Sequence, residues 1–203
     1  MLNPNFSIII PACNCERTIR LCLEAMKRLQ VSELREIIVV DDGSTDKTAD
    51  IVKSFKEVRY FFQENKGPAA ARNRGANEAK GEVVCFTDSD CMPRGDWLEC
   101  LGEPFSDGKI AAVTGSYGLA NPRSSLAQCI QEEIVFRHKK LLPARPKVFG
   151  SYNVAIRKNI FDAVGGFDES YRFASGEDND LSYRIRQKGY DIFFSKNALV
   201  DHF

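Results

Sequence analysis

The chain has 203 residues, and its 28 lysine and arginine residues balance 28 aspartate and glutamate residues, so the formal net charge is zero. This length allows one sizeable hydrophobic core and is short for two independent domains. The balanced charge argues against nucleic acid as a partner, and against an anionic membrane surface recognised through bulk electrostatics.

The seven cysteines and the distribution of apolar residues indicate in which cellular compartment the protein is found. The cysteine count is odd and no CxxC pair occurs, which favours reduced structural thiols over disulfides or zinc. Met1 to Ser7 shows no secretory signal, and no apolar stretch approaches transmembrane length. We therefore expect a single compact domain in the cytoplasm, and peripheral contact with the cytoplasmic face of a membrane stays open.

The first third of the chain alternates strands and helices. The apolar spacing predicts strands at Phe6–Ile10, Glu36–Val40 and Val58–Phe62, a helix at Ile19–Leu29 with Asn14 as N-cap, and a helix at Thr48–Phe55. This βαβαβ order gives a parallel, doubly wound unit that binds nucleotides at its carboxyl edge. Pro11–Asn14 and Asp41–Ser44 follow the first two strands, so we expect them to line one crevice.

The next segment, Gly67–Gly75, predicts a loop that runs into a helix, with Pro68 at a first helical position. Arg72 and Arg74 lie two residues apart and cannot face the same way, so we expect at most one in the crevice. A guanidinium there suits a nucleotide through stacking or phosphate pairing. A solvated, alanine-rich surface helix explains the segment equally well.

Glu82–Asp90 carries the strongest local motif. The apolar run Val83–Thr87 predicts a buried strand, and it ends in Asp88-Ser89-Asp90. Two carboxylates this close repel unless a cation lies between them, and oxygen ligands favour Mg²⁺ or Mn²⁺. Taken alone, the motif favours an aspartate-rich turn, but the other motifs in the chain shift the interpretation to a metal site.

The second half is less regular. We predict helices at Pro93–Leu101, Ser124–Leu142 and Lys158–Val164, and strands at Ile110–Gly115 and Ser151–Ile156. The pair Gly165-Gly166 closes the last of these helices, which is sufficient structural reason for both glycines. Close approach of the backbone to a substrate is the lesser interpretation.

Two further groups could carry chemistry. Glu177 and Asp178 open a helix that runs to Lys188, where free N–H groups stabilise a carboxylate and keep it available as a proton acceptor. Simple capping of the first turn is the stronger explanation for these acids when they are considered alone. His202 follows a short apolar segment; a lone histidine is usually structural, although imidazole also binds Mn²⁺.

Taken together, the ordered motifs resemble glycosyltransferase family 2 over nearly the whole chain. The motifs are Ser7–Asn14, Ile38–Asp46, Gly67–Asn73, Thr87–Asp90, Gly165–Glu169 and Gly176–Leu181. The resemblance implies an α/β fold of the GT-A type, a single nucleotide-diphospho-sugar transferase domain with a Rossmann-like, mostly parallel central sheet flanked by helices. It implies that residues 1–90 bind the nucleotide sugar, and that residues 91–203 carry the acceptor site and the catalytic base.

The resemblance also implies roles for individual residues. Asp178 would be the catalytic base with Glu177 beside it, Asp90 and His202 would hold Mn²⁺ or Mg²⁺, and Gly166 with Asp88 would lie on the acceptor or sugar side. The donor nucleotide would be bound by Pro11, Ala12, Asn14, Asp42, Arg72 and Asp88. Two departures stand out: Cys13 replaces the usual aromatic residue, and the sequence ends at Phe203, where relatives commonly continue, so we expect an incomplete acceptor side.

The function implied is metal-dependent, inverting transfer of a sugar from a nucleotide sugar, with a UDP-sugar favoured, to a glycan, polysaccharide or lipid-linked acceptor by direct displacement. Two alternatives stay open. A nucleotidyltransferase would use a similar crevice but typically has a glycine-rich loop after its first strand, and Pro11–Thr18 has no glycine. A nucleotide-sugar-binding module without turnover would keep the binding residues alone.

Overall fold

The structure, a computed structural model, describes residues 4–29, 33–119, 128–129, 132–134, 136, 142–173 and 176–202. Within these residues the strands are β1 (Phe6–Ala12), β2 (Leu34–Asp42), β3 (Val58–Gln63), β4 (Val83–Thr87), β5 (Cys91–Pro93), β6 (Ile110–Leu119), β7 (Asn153–Arg157) and β8 (Asp191–His202). They form one mixed sheet in the order β3-β2-β1-β4-β7-β6-β8-β5. The described helices are α1 (Ile19–Met26), α2 (Thr48–Lys53), α3 (Pro68–Glu78), α4 (Trp97–Gly102), α5 (Lys158–Ala163) and α6 (Glu177–Gln187).

The predicted parallel half is confirmed. β1 pairs in parallel with β2 and β4, and β2 pairs in parallel with β3. Parallel strands are covered by helices on both faces, which explains why β1 is almost wholly apolar. Ile8 and Ile10 pack with Leu23 of α1 on one face, whereas Ile9 belongs to a second core on the other face.

Helix α3 lies close against β1 because its buried face is made of small residues. A Cβ added at Gly75 would lie 2.4 Å from Ile9 Cγ2, so a side chain here would push the helix off the sheet. Pro68 occupies the start of the helix, as predicted. This close packing brings Arg72 to the carboxyl edge of the sheet.

The other half is mixed rather than parallel. β7 pairs antiparallel with β4 and β6, β6 pairs in parallel with β8, and β5 pairs antiparallel with β8. The register between β6 and β8 shifts between Thr114 and Ser116. Beyond this irregularity the two strands continue together, and the last residues of β8 reach β5.

Three local predictions need correction or fall outside the described residues. Asn14 is not a helix N-cap, because α1 begins at Ile19 with Thr18 as its N-cap and the Asn14 side chain accepts hydrogen bonds from Thr45 instead. The helix predicted from Pro93 starts only at Trp97, since Cys91–Pro93 forms strand β5. The predicted helix at Ser124–Leu142 lies largely outside the described residues, and those described within it, 128–129, 132–134 and 136, are helical.

Candidate active site

A crevice of about 410 Å³ opens at the carboxyl ends of β1, β2 and β4. Its lining residues are Pro11, Ala12, Cys13, Asp42, Asn65, Gly67, Pro68, Arg72, Asp88, Ser89, Asp90, Arg172 and Phe173. Parallel α/β sheets place ligands at this edge. The structure therefore brings together most of the residues that the sequence assigned to donor binding.

Asp42 shapes the wall of the crevice. Its side chain is 4% exposed, and its carboxylate accepts hydrogen bonds of 2.8 Å from Gln63 Nε2 and from the N–H groups of Lys66 and Gly67. These contacts fix the loop between β3 and α3. Gly67 has a φ of +94°, and a Cβ there would lie 2.6 Å from the backbone oxygen of Arg172, so this loop needs glycine where the two chain segments meet.

Arg72 joins the crevice to the second half of the chain. It is 3% exposed, and its Nη2 donates to Asp88 Oδ1 at 3.0 Å while Nη1 donates to Glu177 Oε1 at 3.2 Å. Arg74 points elsewhere and donates to the Phe62 carbonyl. The expectation that at most one of the two arginines faces the crevice is confirmed by these positions, and Arg72 is the one.

Asp178 and Glu177 open α6 and differ in environment. Glu177 is 2% exposed and ion-paired with Arg72. Asp178 Oδ2 accepts a hydrogen bond of 3.0 Å from the Ser151 N–H, and its buried Oδ1 has no hydrogen-bond partner among the described residues. Burial raises the pKa of Asp178, and the Ser151 N–H and the charge of Arg72 offset this only in part. Asp178 thus has one carboxylate oxygen held in place and one with unused capacity to accept a proton.

Asp90 and His202 meet although they are far apart in the sequence. Cys91 and His202 are directly opposed in the antiparallel β5–β8 pair, which places His202 Nε2 3.5 Å from Asp90 Oδ2. Both side chains are about 40% exposed, 40% for Asp90 and 41% for His202. A carboxylate oxygen and an imidazole nitrogen that are both open to solvent fit a divalent cation such as Mn²⁺ or Mg²⁺, with room left for oxygen atoms of a ligand.

Cys91 lies in the same cluster. Its thiol is buried and donates to Asp90 Oδ1 at 3.8 Å, and burial raises its pKa. The ligand atoms of Asp90, Cys91 and His202 all lie within 4.8 Å of one another. Tyr117 packs on His202 with a ring-centroid distance of 5.3 Å and an interplanar angle of 72°, so the imidazole has an aromatic neighbour that limits its orientation.

Two residues that the sequence assigned to the site, Asn14 and Gly166, do not line the crevice. Asn14, with a φ of 48°, links the loop after β1 to the loop after β2, because its N–H donates to Ser44 Oγ and its Oδ1 accepts from the Thr45 N–H. Gly166 has a φ of +68°, and a Cβ there would lie 2.7 Å from Asn73 Oδ1. The Asn73 side chain donates from Nδ2 to the Phe167 carbonyl and accepts at Oδ1 from the Phe167 N–H. Gly166 therefore lies in close contact with α3.

Sequence analysis missed several residues around the site. Asn65, Arg172 and Phe173 line the crevice, and Phe173 is 81% exposed. Asn153 is a buried hub whose Oδ1 accepts from Trp97 Nε1 and whose Nδ2 donates to the Ser116 and Ala198 carbonyls. The position of Asn65 just before the Gly67-Pro68 pair was a usable signal; the other roles arise from tertiary contacts.

Family models and relatives match most of the chain. A model described as glycosyl transferase family 2 matches residues 7–165, and a second, described as the N-terminal domain of galactosyltransferase, matches residues 133–202. The Bacillus subtilis protein named Probable glycosyltransferase YdaM is 34% identical over 97% of this chain and 50% of its own length. Glycosyltransferase AglE of Haloferax volcanii is 27% identical over 98% of this chain and 67% of its own length.

Solved structures show the same fold. A mannosyltransferase from Pyrobaculum calidifontis, solved with GDP-Man and Mn²⁺, superposes with a TM-score of 0.73 and 22% identity, covering 100% of this chain and 57% of that one. GalNAc-T7, solved with UDP, GalNAc and Mn²⁺, superposes with a TM-score of 0.77 and 20% identity, covering 98% of this chain and 44% of that one.

The chain therefore belongs to glycosyltransferase family 2 and has the α/β fold of the GT-A glycosyltransferases. It spans half the length of the Bacillus subtilis relative and two thirds of the archaeal one. Among the helices that the structure describes, none has the length and apolar character needed to cross a bilayer.

Proposed function

We propose that the chain is an inverting, metal-dependent glycosyltransferase that moves a sugar from a UDP-sugar to a glycan, polysaccharide or lipid-linked acceptor by direct displacement. The observation that carries this proposal is the position of Arg72. It binds Asp88 in the donor crevice and Glu177, next to Asp178, on α6. A donor site and a proton acceptor are thereby held in one rigid arrangement.

The crevice residues have separate tasks in this proposal. Pro11, Ala12 and Asp42 form the wall where the nucleotide base binds, and Asp88 lies on the ribose and sugar side. Arg72 adds positive charge near the departing nucleoside diphosphate. Asp90 and His202 would hold a Mn²⁺ or Mg²⁺ ion, which when bound offsets the charge of the diphosphate. The two solved neighbours that contain Mn²⁺ support this choice of cation.

Asp178 is the proposed general base. The Asp178 carboxylate takes the proton of the acceptor hydroxyl while that oxygen attacks the anomeric carbon from the face opposite the diphosphate, so the configuration inverts and no covalent enzyme intermediate forms. Its Oδ2 stays on the Ser151 N–H and fixes the orientation of the carboxylate. The raised pKa of Asp178 makes it a stronger base than an ordinary aspartate once it is ionised.

We also propose one domain with a donor half at residues 1–90 and an acceptor half at residues 91–203, located in the cytoplasm. Pairing of β4 with β7 makes the sheet continuous between the halves, which supports a single domain. All seven cysteines are free, as suits a reducing compartment.

Donor binding is tested by calorimetric titration with UDP in Mn²⁺ and again in EDTA, with GDP and ADP run alongside. We expect UDP to bind in Mn²⁺ and the binding to vanish in EDTA. Tighter binding of GDP would overturn the base preference while leaving the crevice intact. Failure of all three nucleotides to bind would contradict the donor site.

The base assignment is tested with Asp178→Asn, using Asp180→Asn as the matched control because Asp180 lies on the same helix but is paired with Arg184. UDP release from UDP-sugars is followed over a panel of saccharide and lipid-linked acceptors. Loss of a positioned base reduces the rate by about 10²- to 10⁴-fold, so we expect Asp178→Asn to lose transfer and keep UDP affinity. Equal transfer by both variants would refute the assignment. Release of pyrophosphate in a separate assay with UTP and a sugar 1-phosphate would indicate a nucleotidyltransferase.

A further inference from the structure

The Asp90–His202 pair has a third neighbour with a soft donor atom. The Cys91 sulfur contacts Asp90 Oδ1 at 3.8 Å on one side of the carboxylate, while His202 Nε2 lies 3.5 Å from Oδ2 on the other. Oxygen, sulfur and nitrogen thus surround one point, and all three atoms lie within 4.8 Å of one another. Cation sites that favour Mg²⁺ or Mn²⁺ are built from oxygen ligands, whereas a sulfur ligand favours Zn²⁺.

The spacing of these atoms is close to that of a tetrahedral zinc site. Zinc bonds of about 2.0–2.3 Å to oxygen, nitrogen and sulfur place tetrahedral ligand atoms about 3.3–3.7 Å apart. The 3.5 Å separation of His202 Nε2 from Asp90 Oδ2 falls at this spacing, and the 3.8 Å separation of the Cys91 sulfur from Asp90 Oδ1 lies just above it. Small side-chain adjustments would bring all three atoms onto one ion and leave the fourth position open.

The backbone holds the ligands in this arrangement. Cys91 and His202 are paired residues of β5 and β8, and paired residues in an antiparallel ladder have Cα atoms about 4.5–5.5 Å apart. The Cys91 N–H also donates to the Asp88 carbonyl at 3.1 Å. The site is therefore preformed by a strand pair and does not depend on a loop closing around the ion.

The two neighbouring carboxylates, those of Asp88 and Asp201, are paired with arginine side chains. Asp88 is ion-paired with Arg72, and Asp201 accepts hydrogen bonds from Arg94 Nη2 at 2.9 Å and from Nε. Among the described residues, the Asp90 side chain instead contacts Cys91 and His202. The carboxylate is thus available to a cation held together with the thiolate and the imidazole.

We propose that Cys91 is a third metal ligand, and that Asp90, Cys91 and His202 form a thiophilic site that binds Zn²⁺ more tightly than Mn²⁺ or Mg²⁺ and thereby blocks donor binding. The inference deepens the proposed function, since it concerns the same cation site. When Zn²⁺ binds, a Zn–S bond forms and the thiol proton passes to solvent. One carboxylate and one thiolate then cancel the ion's two positive charges, so the complex attracts a diphosphate less than Mn²⁺ on Asp90 and His202 alone.

The test begins without any mutation or nucleotide. The wild-type chain is loaded with one equivalent of Zn²⁺ and examined by X-ray absorption at the zinc edge, and in parallel with Co²⁺ by near-ultraviolet absorption. We expect one sulfur at about 2.3 Å with nitrogen and oxygen at about 2.0–2.1 Å, and a thiolate-to-cobalt charge-transfer band. A shell of nitrogen and oxygen alone, or a cobalt spectrum without that band, would overturn the proposal.

Affinity then assigns the ligands, with Zn²⁺ measured by competition against a chromophoric chelator. Loss of even an outer partner of a ligand weakens metal binding by about 10- to 100-fold, so we expect Cys91→Ser, Asp90→Asn and His202→Ala each to lower zinc affinity at least about 10-fold. Cys100→Ser is the matched control, since this thiol is partly buried on α4, and its zinc affinity should equal that of the wild type. Cys91→Ala and a thermal unfolding check of every variant separate ligand loss from misfolding.

Two results distinguish this inference from the proposed function. Zinc on sulfur with no UDP binding in Mn²⁺ would support the thiophilic site and contradict the donor site. UDP binding in Mn²⁺ that stoichiometric Zn²⁺ leaves unchanged would support the donor site and contradict the blocking role of zinc. In Cys91→Ser, added Zn²⁺ should inhibit UDP binding in Mn²⁺ less than it does in the wild type; zinc sensitivity equal to that of the wild type would overturn the assignment of Cys91.

Discussion

The two halves of the site are built in different ways. In the parallel half, Ala12, Asp42 and Asp88 reach the crevice because each ends or follows a strand of the same sheet edge. In the mixed half, Glu177 is positioned by Arg72, 105 residues away, and Asp178 by the Ser151 N–H, 27 residues away. The residues proposed for donor binding are thus placed by local pattern, whereas the proposed base and the proposed metal-binding histidine depend on tertiary contacts.

This difference predicts where a single substitution is most damaging. A change at a strand end of the parallel half alters one wall of the crevice. A change at a residue that links the halves alters both the fold and the position of the base. Arg72 links the two halves through Asp88 and Glu177. Within the mixed half, Asn153 on β7 links Trp97 to β6 and β8.

The largest effect is expected for Arg72→Ala. This substitution removes a buried guanidinium from Asp88 and from Glu177, which is itself 2% exposed. Breaking a buried ion pair from one side lowers stability by about 3–5 kcal/mol. We expect a loss of this size in the free energy of unfolding, measured by urea titration.

Arg74→Ala is the matched control for that experiment. Arg74 lies on the same helix, donates to the Phe62 carbonyl and lies over the Phe61 ring, and loss of its hydrogen bond should lower stability by about 1 kcal/mol. Similar losses in the two variants would contradict the view that Arg72 links the halves. Addition of UDP and Mn²⁺ should stabilise the Arg74 variant as much as the wild type.

The second effect is expected for Asn153→Ala, which breaks the link between β7, β6 and β8. The substitution removes the acceptor of the buried Trp97 Nε1 and the donor to the Ser116 and Ala198 carbonyls. A buried polar group left without its partner lowers stability by about 1–3 kcal/mol. We expect a loss of about 3 kcal/mol in urea titration.

The exposed Asn159 provides the control for this variant, since Asn159→Ala should leave the free energy of unfolding within about 0.5 kcal/mol of the wild type. Asn153→Ala should also weaken metal binding, because Ala198 lies on β8, the strand that carries His202. A destabilised variant with unchanged metal affinity would show that Asn153 supports the core and not the site.

The same contrast explains what the sequence could predict. Val83–Thr87 is a continuous apolar run, so both the strand and the position of Asp88 and Asp90 at its end follow from local pattern. The strand at Ser7–Ile10 and the start of α6 follow from local pattern for the same reason. The choice of Arg72 over Arg74 came only with the family resemblance. The family resemblance adds the role of each residue, which the physical pattern alone does not supply.

What the sequence could not predict lies in β5 and β8. Strand β8 runs from Asp191 to His202, but Ser195-Lys196-Asn197 interrupts its apolar alternation where the register with β6 shifts. In the sequence, only the last part of β8, from Leu199 onward, therefore resembles an apolar strand. Strand β5 has three residues, too few for a periodic signal, and only the pairing of the two strands brings Cys91 opposite His202.

The smallest effect is expected for Asp178→Asn, which should raise the free energy of unfolding instead of lowering it. Burial raises the pKa of Asp178 in the folded state. The folded chain therefore holds this proton to higher pH than the unfolded chain does, and the stability that protonation contributes is lost as pH rises through the folded pKa. Ionisation of Asp178 therefore leaves a partly desolvated carboxylate in the folded chain, at a cost to stability. Asp178→Asn should raise the free energy of unfolding at pH 7 by about 1 kcal/mol.

The gain from Asp178→Asn should shrink as pH falls below the folded pKa, because the wild-type carboxyl then becomes neutral as well. Asp168→Asn provides a control of opposite sign, since the hydrogen bond from the Ser170 N–H lowers the pKa of the exposed Asp168. That interaction contributes stability above the unfolded pKa and loses it as pH falls through the folded pKa, so Asp168→Asn should lower stability at pH 7. Urea titrations of both variants at pH 7 and at about pH 4 measure the two signs. A loss of stability at pH 7 in Asp178→Asn would mean that its ionised form is stabilised by the fold, and the carboxylate would then be a structural group and not a strained base.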